Sequence, residues 1–215
     1  MQKLSVLVLL SLCVSANAQM GMNPQDSMQK MLTSTGRLLN QNDFKKELKL
    51  TGDQNKKISA LTKNQEKKTQ ELLRKGGSDM NASIKAMAEL DALDEETDKA
   101  IQAELTPEQA RRLTEIKWQI LGVKAIYDPV LQKELGLSEE QAAKLDSWKA
   151  GEGERMMALM DTGGNPHKLK DARKKLKDDD DKNIKGVLLP DQLTKYKTAL
   201  GAECKAAKRL SDMMF

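Results

Sequence analysis

The chain has 215 residues, 39% hydrophobic and 32% charged, with only 3% aromatic. Charge this dense with so few aromatics predicts an all-α protein with a thin aliphatic core. The formal net charge of +4, carried by interspersed acidic and basic residues, argues against a nucleic-acid binder.

Residues 1–18 read as a cleaved secretory signal. Lys3 gives the positive start, an apolar run follows, and Ala16-Asn17-Ala18 has the small-x-small form of a cleavage site. The apolar run is too short to cross a bilayer, so no membrane insertion is expected after cleavage behind Ala18. The mature chain is then periplasmic or secreted and keeps one cysteine, Cys204, which a helical setting predicts to be partly buried.

Residues 19–41 form an N-terminal arm and a helix starting at Asp26 or Ser27, with Met28, Met31, Leu32, Leu38 and Leu39 near helical spacing. A first helical unit occupies 42–125. Its first long helix, about 51–75, has few apolar residues between Thr62 and Gln70, so that portion is expected to be exposed or to face a partner. Gly76-Gly77-Ser78-Asp79 turns the chain into a second helix, about 79–104, and a third ends near Gly122.

The third helix opens on a complete start signal. Thr106 can cap it, Pro107 suits its first position, and Gln109 can reach back to close a capping box behind Leu105. The signature recurs at Leu50, Thr51 and Gln54, again at Leu137, Ser138 and Gln141, and in worn form at Leu189 to Gln192. The last has leucine where the cap should be.

The plan repeats from Asp128-Pro129, giving a second unit at 126–215. Gln141 answers Gln54, Gly163-Gly164 answers Gly76-Gly77, and Gln192 answers Gln109 at a slightly shorter spacing. The helices of this copy are expected at about 138–161, 165–187 and 190–211. No stretch alternates with period two, so no sheet is expected. The expected architecture is an elongated helical bundle of two tandem hairpin-plus-helix repeats.

The paired Leu-Thr-x-x-Gln motifs, one opening a helical hairpin and one of the form Leu-Thr-Pro-Glu-Gln near its end, resemble the Spy/CpxP family of periplasmic proteins. The resemblance covers about 44–122 and again 128–212. It implies a small all-helical exported protein acting as an ATP-independent chaperone, with unfolded or partly folded proteins as partners. Relatives that restrain envelope-stress sensors imply a membrane sensor domain as an alternative partner, and others imply metal binding. Two units in one chain leave a monomeric pseudo-dimer and a homodimer both open.

No catalytic constellation is legible, and no cofactor is called for. His167 is the only histidine, and a lone surface histidine is more often incidental than catalytic. Methionines at 20, 22, 28 and 31, at 156, 157 and 160, and at 213 and 214 could hold Cu(I), but methionine more often fills irregular cores or offers adaptable contact surface. The run from Asp178 to Asp181 points in different directions on a helix and is flanked by lysines, which reads as a solvated face. Client binding suits the composition better, with Met156, Met157 and Met160 giving flexible apolar contact and Arg111, Arg112 and Arg155 giving surrounding charge.

Overall fold

The computed structural model describes residues 29–30, 32–76, 80–160 and 166–214. Residues 1–18, where a signal is expected, lie outside the described residues with Met20, Met22, Met28 and Met31, as do the side chains of Met156, Met160, Met213 and Met214. All regular structure among the described residues is helical. The elements are α1 (Thr35–Leu39), α2 (Asn42–Glu47), α3 (Gly52–Gly76), α4 (Met80–Gln102), α5 (Pro107–Leu121) and a 3-10 helix (Gly122–Tyr127). They continue with α6 (Pro129–Leu135), α7 (Glu139–Ala150), α8 (Glu152–Met160), α9 (Pro166–Val187), α10 (Pro190–Ala199) and α11 (Lys205–Met214). Two compact units divide between Arg111 and Arg112.

In the first unit α3 and α4 pack along one another as a hairpin, and the short α1 lies against both. Leu38, Leu39, Phe44, Ile58 and Ile101 are buried there. Asp98 of α4 fixes the start of α1, accepting hydrogen bonds from the Thr35 backbone N–H (3.1 Å), the Thr35 hydroxyl (2.8 Å) and the Gly36 N–H (3.3 Å). A side chain at Gly36 would meet the end of the Gln65 side chain, which would have to move aside. The polar middle of α3 is not all surface. Thr62 and Gln65 are only 1% and 7% exposed, and the Gln65 amide donates to Asp94 Oδ1 at 2.5 Å. A polar side chain with a fixed partner can occupy an interior position that hydrophobicity does not announce.

In the second unit α7 and α8 pack against α9, the 3-10 helix lies on α9, and α6 lies on α10. Trp118, Ile126, Leu131, Leu145, Ile184 and Tyr196 belong to one buried cluster. Two helices expected to be continuous are broken. The first is interrupted at Gly151, between α7 and α8. The second stops at Ala199 because Gly201 takes a left-handed conformation (φ 66°) and the following loop is tied down. Arg112 donates to the Ala202 carbonyl (2.7 Å), and the Gln119 amide both donates to the Leu200 carbonyl (2.6 Å) and accepts from the Cys204 N–H (2.8 Å). Cys204 is buried and free.

Burial repeats along the chain. The spacing that carries Gln54 onto Gln141 also carries buried Leu39, Phe44, Leu48 and Ile58 onto buried Ile126, Leu131, Leu135 and Leu145. The spacing that carries Gln109 onto Gln192 carries buried Leu93, Ile101 and Leu113 onto buried Leu176, Ile184 and Tyr196. The short helices α2 and α6 also end alike, each with a left-handed residue followed by an N–H that reaches five residues back: Leu50 to the Lys45 carbonyl and Leu137 to that of Gln132, both 3.2 Å. The left-handed residue is Gly136 in one case (φ 64°) and Lys49 in the other (φ 51°), the one non-glycine residue with positive φ among those described.

A side chain in that conformation costs about 1 kcal/mol. Lys49→Gly is therefore expected to raise stability by about that amount, measured by urea denaturation. Asp94 supplies a pH test. Burial pushes its carboxyl above the usual range despite the Gln65 hydrogen bond. A carboxyl raised on folding holds its proton more tightly in the native state, so its ionised form costs stability above the native pKa, and the cost disappears below the unfolded value. Asp94→Asn is expected to raise the urea midpoint at about pH 7, with the gain shrinking toward about pH 4.

Candidate functional site: paired glutamine clasps

Each Leu-Thr-x-x-Gln motif makes the capping box its sequence describes. The Thr51 hydroxyl accepts from the Gln54 N–H (3.2 Å), while Gln54 Oε1 accepts from the Thr51 N–H (3.0 Å). Thr106 and Gln109 repeat this at 3.3 and 2.9 Å. The two boxes also meet. The Gln54 amide N–H donates to Gln109 Oε1 at 2.7 Å, and the Gln109 amide returns a bond to Gln54 Oε1 at 3.1 Å. Each amide spends a further donor on a backbone carbonyl at the end of another helical segment: Gln54 on Glu104 (2.8 Å) and Gln109 on Leu48 (3.2 Å).

The result is a closed loop of bonds in which each side-chain oxygen accepts two and each side-chain nitrogen donates two, the full capacity of that amide's donors and lone pairs. This explains glutamine. A capping box alone accepts glutamate equally well. Here glutamate would lose both donors and aim a second oxygen at acceptors that are already lone pairs.

The second unit builds the same clasp. Gln141 donates to Gln192 Oε1 (2.7 Å) and to the Val187 carbonyl (2.8 Å), and Gln192 donates to Gln141 Oε1 (3.0 Å) and to the Gly136 carbonyl (3.2 Å). Ser138 replaces threonine without loss, exchanging bonds of 3.0 and 3.2 Å with Gln141. Leu189 has no side-chain acceptor, so only half of the last box survives, from the Leu189 N–H to Gln192 Oε1 (2.9 Å). Among the motif residues Thr51, Thr106, Pro107 and Ser138 are exposed, Gln192 is buried, and Leu50, Gln54, Leu105, Gln109, Leu137 and Gln141 are half-buried.

Of the residues expected to bind clients, Arg112 and Arg155 are engaged with neighbouring groups of the second unit. Met157 is 75% exposed and Arg111 is exposed. Arg112 is held by Glu115 at 2.8 Å as well as by the Ala202 carbonyl. Arg155 lies over the Trp148 ring, 3.9 Å from its centroid, and donates to the Trp148 carbonyl at 2.7 Å. Met156 and Met160 have side chains outside the described residues.

A buried ionic group was hidden by the chain's density of charge. Lys124 of the 3-10 helix meets Glu152 of α8 at 2.5 Å and Asp180 of α9 at 3.4 Å, with all three side chains no more than 3% exposed. Trp148 donates to Asp180 at 3.0 Å, and Arg155 closes the group at 3.9 Å from the same carboxylate. Burial, with the charges of Glu152 and Asp180 adding to it, pushes the Tyr127 phenol well above its usual range, so it stays protonated. Asp180 is thus an interior residue, although it stands in an acidic run that reads as surface, while Asp181 pairs with Lys185 at 2.6 Å. His167 is exposed, and no group of three or more acidic, histidine or cysteine side chains able to hold a metal occurs among the described residues.

No family model, curated protein or solved structure matches the chain. No helix among the described residues is long and apolar enough to cross a membrane.

Two substitutions test the clasp. Gln54→Glu is expected to cost roughly 2–3 kcal/mol in chemical denaturation, because it strips two donors from partly buried acceptors and adds a charge. Leu189→Thr is expected to restore the missing half-box and add about 1 kcal/mol, read as a higher urea midpoint.

Proposed function

We propose that this chain is an exported, ATP-independent chaperone of two tandem Spy/CpxP-like units that binds unfolded or stress-exposed proteins. The observation that carries the reading is the pairing of the Leu-Thr-x-x-Gln motifs. The residues that bear the resemblance close one helical hairpin, and their counterparts close a second in the same way. The recurrence of buried positions at the same two spacings supports descent of both units from one ancestor.

The surface suits such a role. Met157, Val130 and Leu189 are large apolar side chains left exposed among dense charge. Methionine adapts its shape to varied contacts at little cost, and the surrounding charge keeps a complex soluble. Binding of this kind needs no nucleotide, only a surface that competes with aggregation for exposed apolar segments.

The test is light scattering of a denatured, aggregation-prone protein diluted into buffer containing residues 19–215 without ATP. Suppression at near-stoichiometric ratios is the expected result, and its absence over a wide range of ratio and salt sinks the reading. Met157→Glu is expected to leave the urea midpoint unchanged and weaken client binding by about 1 kcal/mol, roughly fivefold.

A further inference from the structure

The first unit carries a basic hollow, and most of its lysines have no counterpart at the matching positions of the second. Asn42, Lys45, Lys46, Lys49, Leu50 and Asn55 line a recess of about 410 Å³ between α2 and the start of α3. An adjoining recess of about 470 Å³ shares Asn55 and continues along α3 past Lys56, Ser59 and Lys63. Lys56, Ser59 and Lys63 fall at spacings of three and four residues, so they stand on one face of the helix. Lys45 donates to the Ser59 hydroxyl at 3.2 Å, whereas Lys46, Lys49, Lys56 and Lys63 are exposed and make no ion pair with a described residue.

The second unit is an internal control. At the spacing that carries Gln54 onto Gln141, the six residues of the first recess become Pro129, Gln132, Lys133, Gly136, Leu137 and Ala142. Lys56 and Lys63 become Ala143 and Ala150, and Ser59 becomes Asp146. One lysine of five survives. The fold is therefore satisfied without these lysines, and the surroundings of α3 do not demand them.

Lys49 makes the point independently. It occupies a left-handed conformation that glycine fills at the matching position, Gly136. Backbone strain retained where an easier residue serves is a mark of function.

We infer that this hollow binds a phosphate-bearing anion, either a free phosphorylated small molecule or the head group of an anionic lipid. The Asn42 amide at the same recess can add a neutral donor to its oxygens, while that of Asn55 is engaged with the Leu50 carbonyl at 3.3 Å. All its cations are lysines. Lysine acts as a compact point charge suited to phosphate, whereas planar, two-pronged recognition of carboxylates favours arginine. This site does not depend on chaperone activity.

The test titrates residues 19–215 in low-salt buffer with pyrophosphate, followed by backbone amide NMR shifts at 42–63, and separately measures co-sedimentation with vesicles of phosphatidylglycerol or of phosphatidylcholine alone. Lys49→Gly is the decisive variant, because it removes a charge while relieving strain and so cannot lose binding through misfolding. It is expected to weaken binding about fivefold, and Lys56→Gln similarly, while Lys133→Gln in the second unit changes nothing. Pyrophosphate shifts that fall with Lys49→Gly identify a free phosphorylated ligand. Sedimentation with phosphatidylglycerol alone, reduced by the same variant, identifies a head group. No binding in either arm, equal effects of Lys49→Gly and Lys133→Gln, or a polyglutamate peptide that binds as tightly as pyrophosphate overturns the proposal.

Discussion

A helix end exposes backbone groups that its own turns cannot satisfy, and a hairpin brings several such ends together. The reciprocal glutamine pair resolves this in one stroke. Gln54 and Gln109 each cap the start of one helix, then turn their amides on each other and on the carbonyls of Glu104 and Leu48. Four chain segments are thereby fixed at one point by two side chains, and Lys57 of α3 adds an ion pair to Glu104 (2.8 Å) at the same end. With so few aromatics in the chain, directional bonds of this kind supply a register that a thin aliphatic core specifies only loosely.

The two units use different chemistry at matching interior places. At the positions of buried Gln65 and Thr97 the second unit has buried Glu152 and Asp180. The first unit thus fills these places with neutral groups, and the second with carboxylates balanced by Lys124 and Arg155. Buried ions owe their place to geometry, because the cost of removing them from water is returned only while every partner is present. The first unit carries its excess of unpaired cations outside instead, along α2 and α3. The same scaffold has placed charge inward in one half and outward in the other.

The helical class, the start of each major helix and the motif residues themselves were legible in the sequence, because caps and prolines act over one turn. The spacing from Thr51 to Gln54 announces a capping box directly. That Gln54 and Gln109 would bond to one another is not local information, and its only trace was the same motif at both ends of one hairpin. The interruptions at Gly151 and Gly201 were missed for a similar reason. Glycine within a helical pattern is ambiguous, and at Gly201 the deciding partners, Arg112 and Gln119, lie far back in the chain. Lys124, Glu152 and Asp180 were invisible among neighbours of equal charge, since composition does not say which ion is interior.

Both tryptophans and both tyrosines of the chain fall at positions 118, 127, 148 and 196, within the second unit. Trp118 donates to Asp128 and Trp148 stacks beneath Arg155, so their emission follows the hydrogen bonds and ions of that unit's interior. The first unit contributes no such chromophore. Intrinsic fluorescence is consequently a selective reporter, reading the half with the buried ions while the half with the basic hollow unfolds, binds or rearranges in the dark.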